Sequence, residues 1–180
     1  MAVLPIADRL PGPILTLVGE VVTAWAVQEN ELRRLVYLLL SLDPKRGRLA
    51  VRSARAKETI DLIADLMHLA GVTSKTTNLA EYGKLLEEIE NRRNSLAHNI
   101  WLQGPDGSFF LQTLTGVWPA SRGGHRLKRR IDPAGTPVDE DSLRDLVATL
   151  RNTIAQARVL HTELTASKKA LGSPNGGAKE

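Results

Sequence analysis

"EYGKLLEEIENRRNSLAHNIW", residues 81 to 101, decides how the chain folds. Tyr82, Leu85, Leu86, Ile89, Leu96 and Ile100 recur at i, i+3, i+4 spacing, which predicts an amphipathic helix from about Leu79 to Leu102. "GPDG" at 104 to 107 closes it with turn residues that a helix does not tolerate. The same period recurs on both sides. A first helix is expected from Pro13 to Leu42, with Ile14, Val18, Val21, Val22, Trp25, Leu32, Val36 and Leu39 as its stripe and "DPKRG" at 43 to 47 as its end. A second runs from Ser53 to Ala70 through Ile60, Ile63, Ala64 and Met67, with Gly71 as its stop. A fourth begins near "TPVDED", where Thr136, Pro137 and the acidic residues suit a helix start, and carries Leu143, Val147, Leu150, Ile154, Ala157 and Leu164.

Between the third and fourth helices the texture changes. "SFFLQTLTGVW" and "HRLKRRID" have the aromatic and β-branched alternation of two short strands, joined by "PASRGG". The expected fold is mainly α, an antiparallel four-helix bundle with a short β-hairpin, at about 108 to 131, inserted between helices 3 and 4. One domain spans residues 13 to 167, after a flexible leader at 1 to 12 and before a disordered tail at 168 to 180, "LGSPNGGAKE" at its end.

Composition narrows the function. The 180 residues are 42% hydrophobic and 24% charged, enough for one domain with a core. The absence of cysteine excludes disulfides, a thiol nucleophile and thiolate metal sites, and fits a reducing, cytoplasmic compartment. The N-terminal "MAVLPIADRLPGP" interrupts any secretory apolar run, and "LVYLLLSL" at 35 to 42 is too short to span a bilayer, so no membrane partner is expected. The formal charge is +4, with arginine favoured over lysine, and the guanidinium fork suits phosphate. No Gly-rich phosphate loop, nucleophile elbow or His/Asp/Glu cluster at ligand spacing occurs, so no metal and no cofactor is expected.

Some polar residues stand where the pattern asks for apolar ones. Arg93 falls close to the line of Leu85, Ile89 and Leu96, while Asn94 and His98 share its flank, four residues apart. Desolvating a guanidinium without a partner costs several kcal/mol, so a counter-charge is required. Glu29, between Trp25 and Leu32 on the first helix, is the expected partner. Such a pair fixes helix register or belongs to a functional site, and the residues leave both open. His161 lies on the fourth stripe and reads as a core histidine, and Trp101 as a core or interface anchor.

"RNSLAH", Arg93 to His98, resembles the signature of the HEPN superfamily, an Arg and its polar neighbour followed four to six residues later by a His. Members are small helical bundles, often dimeric, and many are metal-independent endoribonucleases or inactive relatives. The resemblance implies Arg93 and His98 as the catalytic pair, with Asn94 beside them and RNA as the substrate. Homodimers, a toxin or defence role and an antitoxin-like protein partner follow from the same resemblance. The side chains suit the chemistry: an imidazole exchanges protons near neutral pH, and a guanidinium holds phosphate charge. Some toxin members carry a modified Tyr two residues after the His; Ile100 stands there, so that regulation is not expected.

Five residues on one helix separate Arg93 and His98 by about 140° around the axis. Either the helix unwinds before His98, or two subunits each supply part of a composite site. Arg122, Arg126, Lys128, Arg129 and Arg130 crowd the hairpin, as a nucleic-acid-binding edge or as charges that protect a strand edge from pairing. The competing reading is a non-catalytic dimeric module in which Arg93, Asn94 and Glu29 form a structural polar network.

Overall fold

A computed structural model of the chain describes residues 5–50, 55–112, 114–116, 129–131 and 135–172. The protein is mainly helical with short antiparallel strands, in the order α1 (Gly12–Leu40), α2 (Pro44–Ala50), α3 (Ala56–Leu69), α4 (Leu79–His98), β1 (Ile100–Gln103), β2 (Phe109–Gln112), β3 (Leu114–Gly116), β4 (Arg129–Ile131), β5 (Thr136–Val138) and α5 (Glu140–Gly172). No helix among the described residues is long and apolar enough to cross a membrane.

The helices depart from the periodic reading where a local signal overrides it. "DPKRG" ends α1, but the chain restarts at once as α2, giving five helices where four were expected among the described residues. The cause is local. Pro44 is preset for a first helical position, and the Asp43 carboxylate accepts from the backbone N–H of Lys45 at 2.9 Å and Arg46 at 3.1 Å. α4 stops at His98 instead of running to Leu102, because Ile100 to Gln103 pair with Gln112 to Phe109 as strands β1 and β2. Ile100, counted in the helical stripe, thus belongs to a strand, where its β-branched side chain fits better.

"TPV" is likewise strand, pairing with Phe109 to Leu111, and α5 begins at Glu140. Pro137 cannot donate to a ladder and sits on an edge strand of the order β1-β2-β5. Asp139 supplies the helix cap: its carboxylate accepts from Ser142 N–H at 2.7 Å, which holds its pKa below the usual carboxylate range. Gly107, in the β1–β2 turn, has φ +84°, a conformation that excludes most side chains. β3 and β4 form a separate antiparallel pair, Leu114 to Gly116 against Ile131 to Arg129.

The described chain forms two compact units. The first, Met1–Val22 with Asn91–Val147, buries Ile14, Val21, Leu96, Leu102, Phe109, Leu111, Leu143 and Leu146. Part of the leading segment is tied here: Ile6 bridges to Leu102, and Ala7 N–H donates to the Trp101 carbonyl at 2.9 Å.

The second unit, Thr23–Glu90 with Ala148–Glu180, buries Trp25, Leu35, Val36, Ile60, Ile63, Leu86, Leu150, Leu160 and Leu164. Ile60 lies 3.3 Å from where a Cβ would stand on Gly83, so the glycine lets α3 and α4 approach closely. Its core also encloses a polar chain. Gln28 donates to the Tyr82 hydroxyl at 2.9 Å, which donates to the Thr153 carbonyl at 2.8 Å. α5 continues past residue 167, and Lys168 donates to the Leu38 carbonyl at the end of α1 and to the Ser41 hydroxyl, both at 2.7 Å. A cation there offsets carbonyls that have no partner within the helix.

Candidate functional site

The last two turns of α4 carry Arg93, Asn94 and His98, all in the first unit. The Arg93 Nη1 donates to the Asn94 side-chain oxygen at 2.8 Å, so neighbours in sequence orient one another. Both are half-buried. The Arg93 Nε is buried and has no hydrogen-bond partner among the described residues, a state it shares with Gln28 Oε1 and Thr77 Oγ1. A desolvated donor left in that state costs about 1–3 kcal/mol.

His98 is exposed in the final turn. Asn99 N–H still donates to the Ser95 carbonyl at 3.0 Å, so regular helical hydrogen bonding reaches past His98. The helix therefore does not unwind between Arg93 and His98, and about 140° of rotation separates them on the single chain. The chain then turns into β1, and the half-buried Trp101 indole donates to the Leu96 carbonyl at 3.3 Å, covering a free helix-end acceptor.

Glu29 and Arg93 each find a partner on their own helix. Glu29 accepts from the Trp25 indole at 3.1 Å and from Arg33 at 3.4 Å. Both are four residues away, a spacing that keeps side chains within reach without tertiary packing. Of the basic hairpin, Arg122, Arg126 and Lys128 lie outside the described residues. Arg129 and Arg130 are in β4, where Arg130 pairs with Thr115 and Arg129 with Gly116. His161 is half-buried, and burial together with the Arg34 charge lowers its pKa against the opposing pull of Glu31.

A second face of the same helix end lines a cleft of about 240 Å³. Asn91, Arg92, Ser95 and Asn99 form one wall, Thr136 to Val138 of β5 another, and Leu96, Leu111, Leu143 and Leu146 the apolar floor. Arg92 is held at its rim by the Ser142 carbonyl at 3.3 Å. Neither Arg93 nor His98 lines this cleft. Sequence reading passed over it because polar residues beside the apolar stripe look like an ordinary solvated flank, and because β5 was read as helix. Its only signal was the spacing of Asn91, Ser95 and Asn99, which puts three polar side chains in one row.

Among the described residues, no three His, Asp or Glu side chains gather as a metal site. No family model matches the chain, and no curated protein or solved structure matches it.

Proposed function

We propose that the chain is a HEPN-like RNA-binding protein and a metal-independent endoribonuclease, working as a homodimer in the cytoplasm. The observation that carries this reading is the state of Arg93: a half-buried guanidinium oriented by Asn94, with one desolvated donor unpartnered among the described residues, on a helix that presents an exposed His98 further along. A site that combines Arg93 of one copy with His98 of the other accommodates the angle between them. Such a two-fold arrangement would occur twice per dimer.

In the proposed reaction His98 takes the proton from an RNA 2′-hydroxyl, and the 2′-oxygen attacks the adjacent phosphorus. Arg93, steadied by Asn94, stabilises the charge that grows on the phosphoryl oxygens. The bond to the 5′-oxygen breaks, and the imidazolium returns its proton to that leaving oxygen. The products are a 2′,3′-cyclic phosphate and a free 5′-hydroxyl. A toxin or defence role with an antitoxin-like partner belongs to the same proposal.

The test is incubation of the purified protein with mixed RNA in a chelator. Cleavage that survives chelation and is lost in both Arg93→Ala and His98→Ala supports the reading. An intact dimer that leaves RNA whole contradicts it.

One observation favours the second reading, a non-catalytic interaction module: the cleft on this helix is lined by Asn91, Arg92, Ser95 and Asn99 rather than by Arg93 and His98. On that reading Arg93 and Asn94 are structural, without Glu29, whose partners are Trp25 and Arg33.

A further inference from the structure

In the second unit, a groove of about 480 Å³ runs between the C-terminal half of α1 and α2, lined by Asn30, Arg33, Arg34, Tyr37, Pro44 and Arg48. Three of the six are arginines, and none is acidic. Their counter-charges lie off the lining and cancel them only in part. The Glu31 carboxylate, whose side chain is 5% exposed, binds two guanidiniums at 2.9 Å each, Arg34 and Arg158, so that cluster keeps an excess positive charge. Arg33 meets Glu29 at 3.4 Å. Arg48 is exposed and has no ion pair among the described residues.

The groove is built rather than incidental. A buried carboxylate is costly unless cations and hydrogen bonds surround it, and the same requirement fixes the Arg34 fork in place. Tyr37 lies against Gly47: a Cβ on that glycine would stand 2.5 Å from the ring, so only glycine lets α2 close over it. α2 is in turn anchored by the Asp43 cap that places Arg48 one turn on.

We infer that this groove binds the phosphodiester backbone of single-stranded RNA. Planar, permanently charged forks match phosphate oxygens in pairs, and an aromatic ring with an amide beside them suits an unpaired nucleotide better than an acidic peptide. The inference rests on the reading that the chain acts on RNA, but its residues are not those assigned to cleavage.

The experiment is fluorescence anisotropy of a labelled oligouridylate with the full chain carrying His98→Ala, titrated over salt. Adding Arg33→Gln and Arg48→Gln should weaken binding by roughly tenfold at low salt, and each lost phosphate contact should reduce the slope of log affinity against log salt by about 0.7. Lys57→Gln with Arg144→Gln removes the same charge from exposed helix pairs elsewhere and is expected to leave the slope unchanged. Arg48→Gln alone, which breaks no ion pair among the described residues, should give half of the slope change and guards against misfolding of the double variant.

Groove and control variants with equal affinity and equal slope would overturn the assignment. So would polyglutamate binding as tightly as RNA through Arg33 and Arg48, since that would make the groove a protein-docking site. Binding lost with Arg33 and Arg48 while the unmodified His98 protein cleaves nothing would keep the groove and overturn the cleavage reading. Cleavage whose KM ignores Arg33 and Arg48 would do the reverse.

Discussion

α4 carries a polar side chain on its buried line in each of its halves, and the two are treated in opposite ways. Tyr82 and Arg93 are eleven residues apart, within about 20° of the same face. Tyr82 is 2% exposed and its hydroxyl is closed off on both sides, accepting from Gln28 and donating to the Thr153 carbonyl. Arg93 is half-buried, held on one side by Asn94 and left with an unpaired Nε. On the proposed reading, the difference separates a packing role from a site role. An incomplete set of hydrogen bonds does not alone mark a site, since Gln28 Oε1 and Thr77 Oγ1 are also buried without a partner among the described residues; what sets Arg93 apart is that it is a half-buried cation oriented by Asn94.

The largest effect that this contrast predicts is on chemistry. His98→Ala and Arg93→Ala should each lower RNA cleavage by about 10²- to 10⁴-fold, the usual weight of a positioned proton-transfer group. The exposed His98 should meanwhile leave the urea midpoint almost unmoved, within about 0.5 kcal/mol of stability. A His98→Ala protein that unfolds easily would assign that end of α4 to structure.

Tyr82→Phe should do the opposite. It strands the buried Gln28 amide N–H, while the Thr153 carbonyl keeps its helical partner, and should lower stability by about 1–3 kcal/mol in urea denaturation, with cleavage unchanged well below the melting temperature. Loss of cleavage with stability intact would erase the distinction between the halves.

Alkali sharpens the same contrast. Burial, only partly offset by the Gln28 hydrogen bond, pushes the Tyr82 phenol well above its usual range. The unfolded chain then releases this proton before the folded one does, so the stabilisation is complete below the ordinary phenol value of about 10 and declines as pH rises beyond it. Melting curves at increasing alkaline pH should show a steeper fall for the natural protein than for Tyr82→Phe, and parallel falls would refute the assignment.

The smallest effect concerns His161, whose folded pKa is lowered chiefly by burial. Here the unfolded state takes up the proton first, so stability is lost as pH falls through about 6.5. Because the side chain is only half-buried, replacing it with Gln should flatten stability between pH 7.5 and 5 by well under about 1 kcal/mol.

Much of the helical core was legible in the sequence because the apolar period survives packing: Ile14, Val21, Trp25, Ile60, Ile63, Leu86, Ile89, Leu150 and Leu164 are all buried. The ends of the elements were less legible. Pro44 and Asp43 read as a stop because a proline after a helix looks the same as a proline beginning the next one. Ile100 falls on the helical count as well as on the strand, and its pairing with Gln112 decides for the strand that its β-branched side chain favours. At the candidate site, periodicity brought Arg93 to notice and helical geometry bounded its angle to His98. It had no means of ranking Arg33 against Arg93 as the partner of Glu29, since a neighbour one turn away on the same helix is within reach without tertiary packing.

The most direct test of the composite site is complementation between two inactive proteins. Arg93→Ala keeps His98, and His98→Ala keeps Arg93, so a dimer of one with the other regains one complete site of the two. Unfolding and refolding the variants together should restore about a quarter of the natural cleavage rate, since random pairing makes half of the dimers mixed and each mixed dimer holds one site. A mixture as inactive as its parents, while size and helical content show mixed dimers present, would contradict the account.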